Sequence, residues 1–437
     1  MEARLHSEEF ILAATIEPNV WHKSGSLTEA NRLLATYPNL PQTGFINALV
    51  YGELELVQLY LMEDPSLANK KQGPRDWEPI LYVCFSQYLR LSAERQAHCV
   101  ACAKLLLETG ADPNAYFMAN EEKETAIYGA IGIANSVDLG RALLQAGADL
   151  DDDEVYYHGA EFDGVEALAM MIEEFGIPDR HKSTALIRKL DFEDLEGVRR
   201  LLSLGLDPNA QGHWGKNALH QALLRFRSTA IIELLLTFDA DPNAAHANGQ
   251  TAYQMAARMG RTDVLAAMEA AGANTKLSPK DEFLAACTRA DRAAANYLIA
   301  QNPEIITSLD PQEDYRLLVD CAQRNQIEVV KLMLDLGFPI EAKDEQGFTA
   351  LLVTTWNGHV DLMEELLQRN APLEILNKYG GTVIDTTVWG YSHYPDPDKP
   401  MEFILQRLID EGANLKAISP YPTKDPRIDG FLSQYLS

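Results

Sequence analysis

Leu105-Leu106-Leu107-Glu108-Thr109-Gly110-Ala111-Asp112-Pro113-Asn114-Ala115 is the stretch from which the rest of the chain can be read. It is an apolar helix end, a stop signal and a tight turn. Gly110 suits the left-handed backbone that follows a helix, and Pro113 forbids the helix from continuing. The pattern returns at Leu201-Leu202-Ser203-Leu204-Gly205-Leu206-Asp207-Pro208-Asn209-Ala210 and at Leu234-Leu235-Leu236-Thr237-Phe238-Asp239-Ala240-Asp241-Pro242-Asn243-Ala244, where Asp239 takes the glycine's place. Weaker copies end at Asp149, Gly337, Asn370 and Asn414. Helix ends placed this way recur about every 34 residues, giving roughly twelve helix pairs.

Ahead of each Leu-rich second helix lies a shorter first helix. It opens on Thr-Ala or an equivalent: Thr125-Ala126, Thr251-Ala252, Thr349-Ala350. A threonine hydroxyl there can accept from an orphan N–H of the first turn. Small residues along this helix allow neighbouring repeats to approach closely. Asn217-Ala218-Leu219-His220-Gln221-Ala222, Gly358-His359 and Gly110-Ala111-Asp112-Pro113-Asn114 together resemble the ankyrin repeat. Tetratricopeptide repeats share the spacing but lack the Asp-Pro-Asn finger. The resemblance spans about residues 8–416 and is strongest over 101–275 and 316–416. It implies an all-α ankyrin repeat solenoid of stacked helix-turn-helix repeats with short finger turns.

The organisation expected is a degenerate N-terminal cap over 1–100, repeats over 101–275, and repeats with a C-terminal cap over 276–437. The segment 275–280, with Ser278-Pro279, is the expected bend. Two connections inside repeats are long. Ser86–Gln96 is expected to extend both flanking helices, and Trp389–Pro400 to form a proline- and aromatic-rich loop.

A net charge of −27 repels phosphate backbones and anionic lipid, so nucleic acid and membrane are disfavoured, whereas a basic protein is a permitted partner. Five cysteines form no disulfide framework and point to a reducing compartment, with the cytoplasm as the default. The acidic start and the lack of a long apolar run fit neither a signal peptide nor a membrane span. The same charge suits a monomer.

Signatures of common catalytic motifs are absent. Asp149-Leu150-Asp151-Asp152-Asp153 begins like a calcium loop, but Glu154 and Ala160 occupy the positions that need glycine and glutamate. It reads as an acidic finger turn. Cys99 and Cys102 lack the second ligand pair of a structural zinc site and read as buried small residues. No metal or cofactor is expected. His220 and His359 occupy pattern positions where the family uses the ring to bond neighbouring backbone.

The resemblance directs attention to the concave face, where finger turns and first helices line a groove. Its expected contact residues are His213, Trp214, His246, Asn248, Asp344, Glu345, Phe348 and Tyr379. Aromatics on turns that should be wet are common binding anchors. The function expected is a non-catalytic scaffold that binds a partner protein on this face. The alternative is a charge-steered regulator or inhibitor of a basic enzyme or toxin.

Overall fold

A computed structural model describes residues 2–16, 25–212, 215–423 and 425–436. The chain is built almost wholly of short helices in pairs and forms two compact units, Met1–Ala252 and Tyr253–Ser437. Residues 275–280 lie inside the second.

Each repeat ends as its residues dictate. After the helix Ala93–Glu108, Gly110 adopts φ 95° and the Ala111 N–H reaches back to the Leu106 carbonyl at 2.9 Å. This 6→1 bond satisfies a carbonyl that the helix end would otherwise orphan. Gly147, Gly205, Gly337 and Gly412 repeat the conformation, and Asp239 and Asn370 adopt it at φ 61° and 59°. Both have short polar side chains, which tolerate that region better than most.

The Asp-Pro-Asn finger has a division of labour. Asp112 Oδ1 accepts from the Asn114 N–H at 2.9 Å and closes the turn. The Asn114 amide then spans to the next finger, donating to the Gly147 carbonyl at 3.1 Å and accepting from the Asp149 N–H at 2.8 Å. Asn69 and Asn209 make equivalent bridges to Gly110–Asp112 and Asp239–Asp241. The motif therefore stitches consecutive repeats together through backbone groups.

Between repeats, the second helices bury Leu106, Leu143, Leu201, Leu235, Met333, Leu366 and Leu408 completely. The first helices bury Ala126, Ala130, Ala222, Ala252, Ala256 and Ala350, whose small size lets neighbours pack closely. Thr125, Asn217, Thr349 and Thr382 cap their helices through side-chain oxygens.

Three local departures from the expected pattern reshape the surface of the repeats. The finger after Ala115 is extended into a β-hairpin, with β1 (Tyr116–Ala119) pairing antiparallel with β2 (Glu122–Thr125). Asn120 and Glu121 carry φ 48° and 72° across its two-residue turn, the mirror-image geometry that matches strand twist. Residues 86–96 contribute the separate short helix Gln87–Leu91 and the first turn of Ala93–Glu108. The helix Val383–His393 runs through Trp389, so the loop expected from Trp389 begins only at Tyr394.

Candidate functional site

In Tyr253–Ser437, the fingers and first helices bring aromatic rings into one run. Asp344 Oδ1 accepts from the N–H groups of Gln346 and Phe348, both at 2.8 Å, which folds the finger and presents Phe348. The Gln346 carbonyl accepts from the Lys378 N–H at 2.9 Å and joins this finger to the next. Tyr379, 77% exposed, lies 6.4 Å from Phe348 between ring centres. Phe348 lies 6.3 Å from Trp356 on the helix Ala350–Asn357, and Trp356 lies 5.8 Å from Trp389. Tyr394 and His393 close the run, with His393 stacked on Trp389 at 4.3 Å.

The two helices that carry the tryptophans are locked beneath them. Thr355 and Thr387 share a hydrogen bond of 2.7 Å, and the Tyr391 hydroxyl donates to the Thr355 carbonyl at 2.7 Å. A Cβ on Gly390 would stand 3.0 Å from the Trp356 ring, so glycine there admits the indole. Trp389 and Tyr394 are 41% and 58% exposed. The result is a rigidly mounted apolar strip with a wet outer surface.

Of the expected contact residues, Phe348 and Tyr379 are neighbours in this strip. Asp344 serves the turn, and Glu345 is paired with Arg316 at 2.5 Å. His246 and Asn248 lie in Met1–Ala252, where the Asn248 Oδ1 lies 3.3 Å from His246 Nδ1 and accepts from the Gln250 N–H. His213 and Trp214 lie outside the described residues. Sequence reading missed Trp356, and it placed Trp389 in a loop. The signal was available at helix spacing, since both tryptophans fall six residues after the first apolar residue of a first helix, Ala350 and Val383.

Met1–Ala252 presents a more polar face. Tyr128 packs 5.6 Å from His158, which forms ion pairs of 3.2 Å with Glu154 and 3.0 Å with Glu161. Burial alone would lower the His158 pKa, but the two carboxylates outweigh it and raise it to about 9. Arg188 pairs with Glu161 at 2.7 Å and covers the Tyr157 ring at 4.1 Å. His359 meets its expected role, with Nε2 3.1 Å from the Gln323 carbonyl. The buried His220 ring faces the Gln250 and Ala244 backbone, whose hydrogen bonds raise its pKa, but burial outweighs them and drives it down to about 4. The ring also packs edge-on to His246 at 5.4 Å.

All five cysteines are buried, and desolvation pushes the Cys99 and Cys102 thiols up to about 12, the direction of unreactive thiols. Among the described residues no group of three or more His, Cys, Asp or Glu side chains could hold a metal ion. No helix there is long and apolar enough to cross a membrane.

Helix pairs joined by asparagine-bridged fingers define a helical repeat solenoid. Residues 160–277 and 283–377 match the family model described as "Ankyrin repeats (3 copies)", and the chain is an ankyrin repeat protein. An ankyrin repeat protein of fowlpox virus is 36% identical over 72 residues, 16% of this chain and 17% of the relative. Cyclin-dependent kinase 4 inhibitor B of Bos taurus is 38% identical over 79 residues, 18% of this chain and 59% of the relative. The chain thus spans less than two thirds of either. The crystal structure of the ankyrin repeat domain of Bcl-3, a member of the IkappaB family, is 21% identical and is matched over 92% of its length and 46% of this chain, with a TM-score of 0.23. Ankyrin repeats are in general protein–protein interaction modules, typically without catalysis.

Proposed function

We propose that this protein is a non-catalytic scaffold that holds a partner protein on the finger and first-helix face of its repeats. The observation that carries the reading is the run Tyr379–Phe348–Trp356–Trp389–Tyr394 in Tyr253–Ser437, exposed at both ends and at Trp389. Rigid aromatic anchors give large contact area at little cost in side-chain entropy, and they dominate binding energy where they are found. In this reading the protein works in the cytoplasm as a monomer without a cofactor, and its partner is a protein rather than nucleic acid or membrane. His213, Trp214, His246 and Asn248 are proposed as contacts of Met1–Ala252 alongside Asp344, Glu345, Phe348 and Tyr379.

The net charge of −27 favours a second reading, a regulator or inhibitor steered by charge onto a basic enzyme or toxin. A pull-down from the source cell with the full chain, washed at low and then high salt, separates the two. A stoichiometric protein retained at high salt supports the aromatic face. A basic protein lost at high salt supports the charge-steered regulator. A chain that retains nothing in either wash speaks against both within that cell.

A further inference from the structure

We propose that Glu124 and Glu154 form a seat for one cationic side chain, arginine or lysine, of a basic segment of the partner protein. The proposal rests on the protein-binding reading and gives that partner its chemistry.

Glu124 stands on β2, in register with Phe117 of β1, and is only 5% exposed. Among the described residues its carboxylate accepts no hydrogen bond and enters no ion pair. A carboxylate so buried ordinarily has a donor or a cation beside it. Burial raises the Glu124 pKa, foremost, to about 7; Glu154, Glu122 and Asp152 push the same way, and His158 opposes them.

The chain's nearby cations are committed elsewhere. His158 is shared between Glu154 and Glu161, and Arg188 belongs to Glu161. Lys123 turns away, with Nζ 4.8 Å from the Tyr116 ring. Negative charge is therefore in excess at one place, and Glu154, whose side chain is 35% exposed, opens that place to solvent. The Tyr128 ring that flanks His158 lies over the helix turn that follows it, because a Cβ on Gly132 would stand only 2.5 Å from that ring. That turn, Gly129–Ile133, is π-helical, a form that recurs at functional sites. Tyr128 is itself fully buried and only backs His158, so the carboxylate pair alone meets a guanidinium or ammonium group, which gains charge-assisted hydrogen bonds there.

The test uses the full chain and a short fluorescein-labelled peptide of alternating Arg and Gly, with a peptide carrying citrulline in place of Arg as control. Anisotropy at about pH 8 should show binding by the parent protein and at least about tenfold weaker binding by Glu124→Gln. Glu154→Gln, altered at a more exposed position, should weaken it in the same direction. Glu124→Gln replaces a desolvated charge by a neutral isostere, so it should fold and melt higher than the parent. A variant that binds within about twofold of the parent, equal binding of the citrulline peptide, or no binding by the parent would overturn the seat. If the partner captured from lysate binds Glu124→Gln as tightly as the parent, the seat is wrong and the scaffold reading stands.

Discussion

The side-chain amide of Asn209 is bonded to the backbone of the finger that carries Asp241, accepting from the Asp241 N–H at 2.8 Å while its own N–H group donates to the Asp239 carbonyl at 2.8 Å. Asn114 and Asn209, each the third residue of an Asp-Pro-Asn finger, thus clamp the next repeat. Asn209→Ala should leave two backbone groups to water and lower stability by about 1–2 kcal/mol. Asn209→Asp should cost less, because it keeps the acceptor. Chemical denaturation of the full chain measures both. An alanine variant as stable as the parent would show that the bridge contributes nothing.

Two buried titrations in Met1–Ala252 point the same way. The carboxyl of Glu124 has its folded pKa raised from 4.5 to about 7, so the folded state holds the extra proton and stability falls as pH climbs through that window. The imidazole of His158 is raised from 6.5 to about 9, so its contribution is complete below 6.5 and is lost as pH rises through about 9. The melting temperature should therefore fall steadily across both windows. Glu124→Gln should flatten the lower one, and His158→Gln the upper. Melting curves that rise with pH would contradict both assignments.

Asp314 is fully buried in the second unit and is held by Arg258, by Lys280 at 3.0 Å and by the Asp310 N–H at 2.7 Å. Removing one member of such a network strands the others. Asp314→Ala should cost about 3–5 kcal/mol, readable as a lower denaturation midpoint, and Asp314→Asn should cost less. A loss under about 1 kcal/mol for alanine would mean that water replaces the carboxylate without penalty.

Much of this architecture is written in local chemistry. Gly110, Asp239 and Asn370 mark helix ends because few other residues accept a positive φ, and Thr125 and Thr349 mark helix starts through their hydroxyls. Glu124 was not legible. Glu121-Glu122-Lys123-Glu124 looks like a solvated run, and the turn Asn120-Glu121 lacks the glycine that usually announces a hairpin. Only strand pairing, with its period of two, turns Glu124 inward while Lys123 faces out. Trp389 was hidden differently. Pro395 and Pro397 suggested a loop from Trp389 onward, yet nothing in Trp389–His393 prevents the helix from continuing. Phe348 and Tyr379 were visible as large rings on turns, but Trp356, which joins them to Trp389, looked like an ordinary helix residue.

The most direct measurement is the affinity of the partner captured in the pull-down for the parent protein and for the combined variant Phe348→Ala, Tyr379→Ala, Trp389→Ala, by calorimetry on full chains with matching circular dichroism. Three anchors cut from one strip should weaken binding by at least about 30-fold, or roughly 2 kcal/mol. Affinity within about twofold of the parent would contradict the aromatic face as the place where the partner is held.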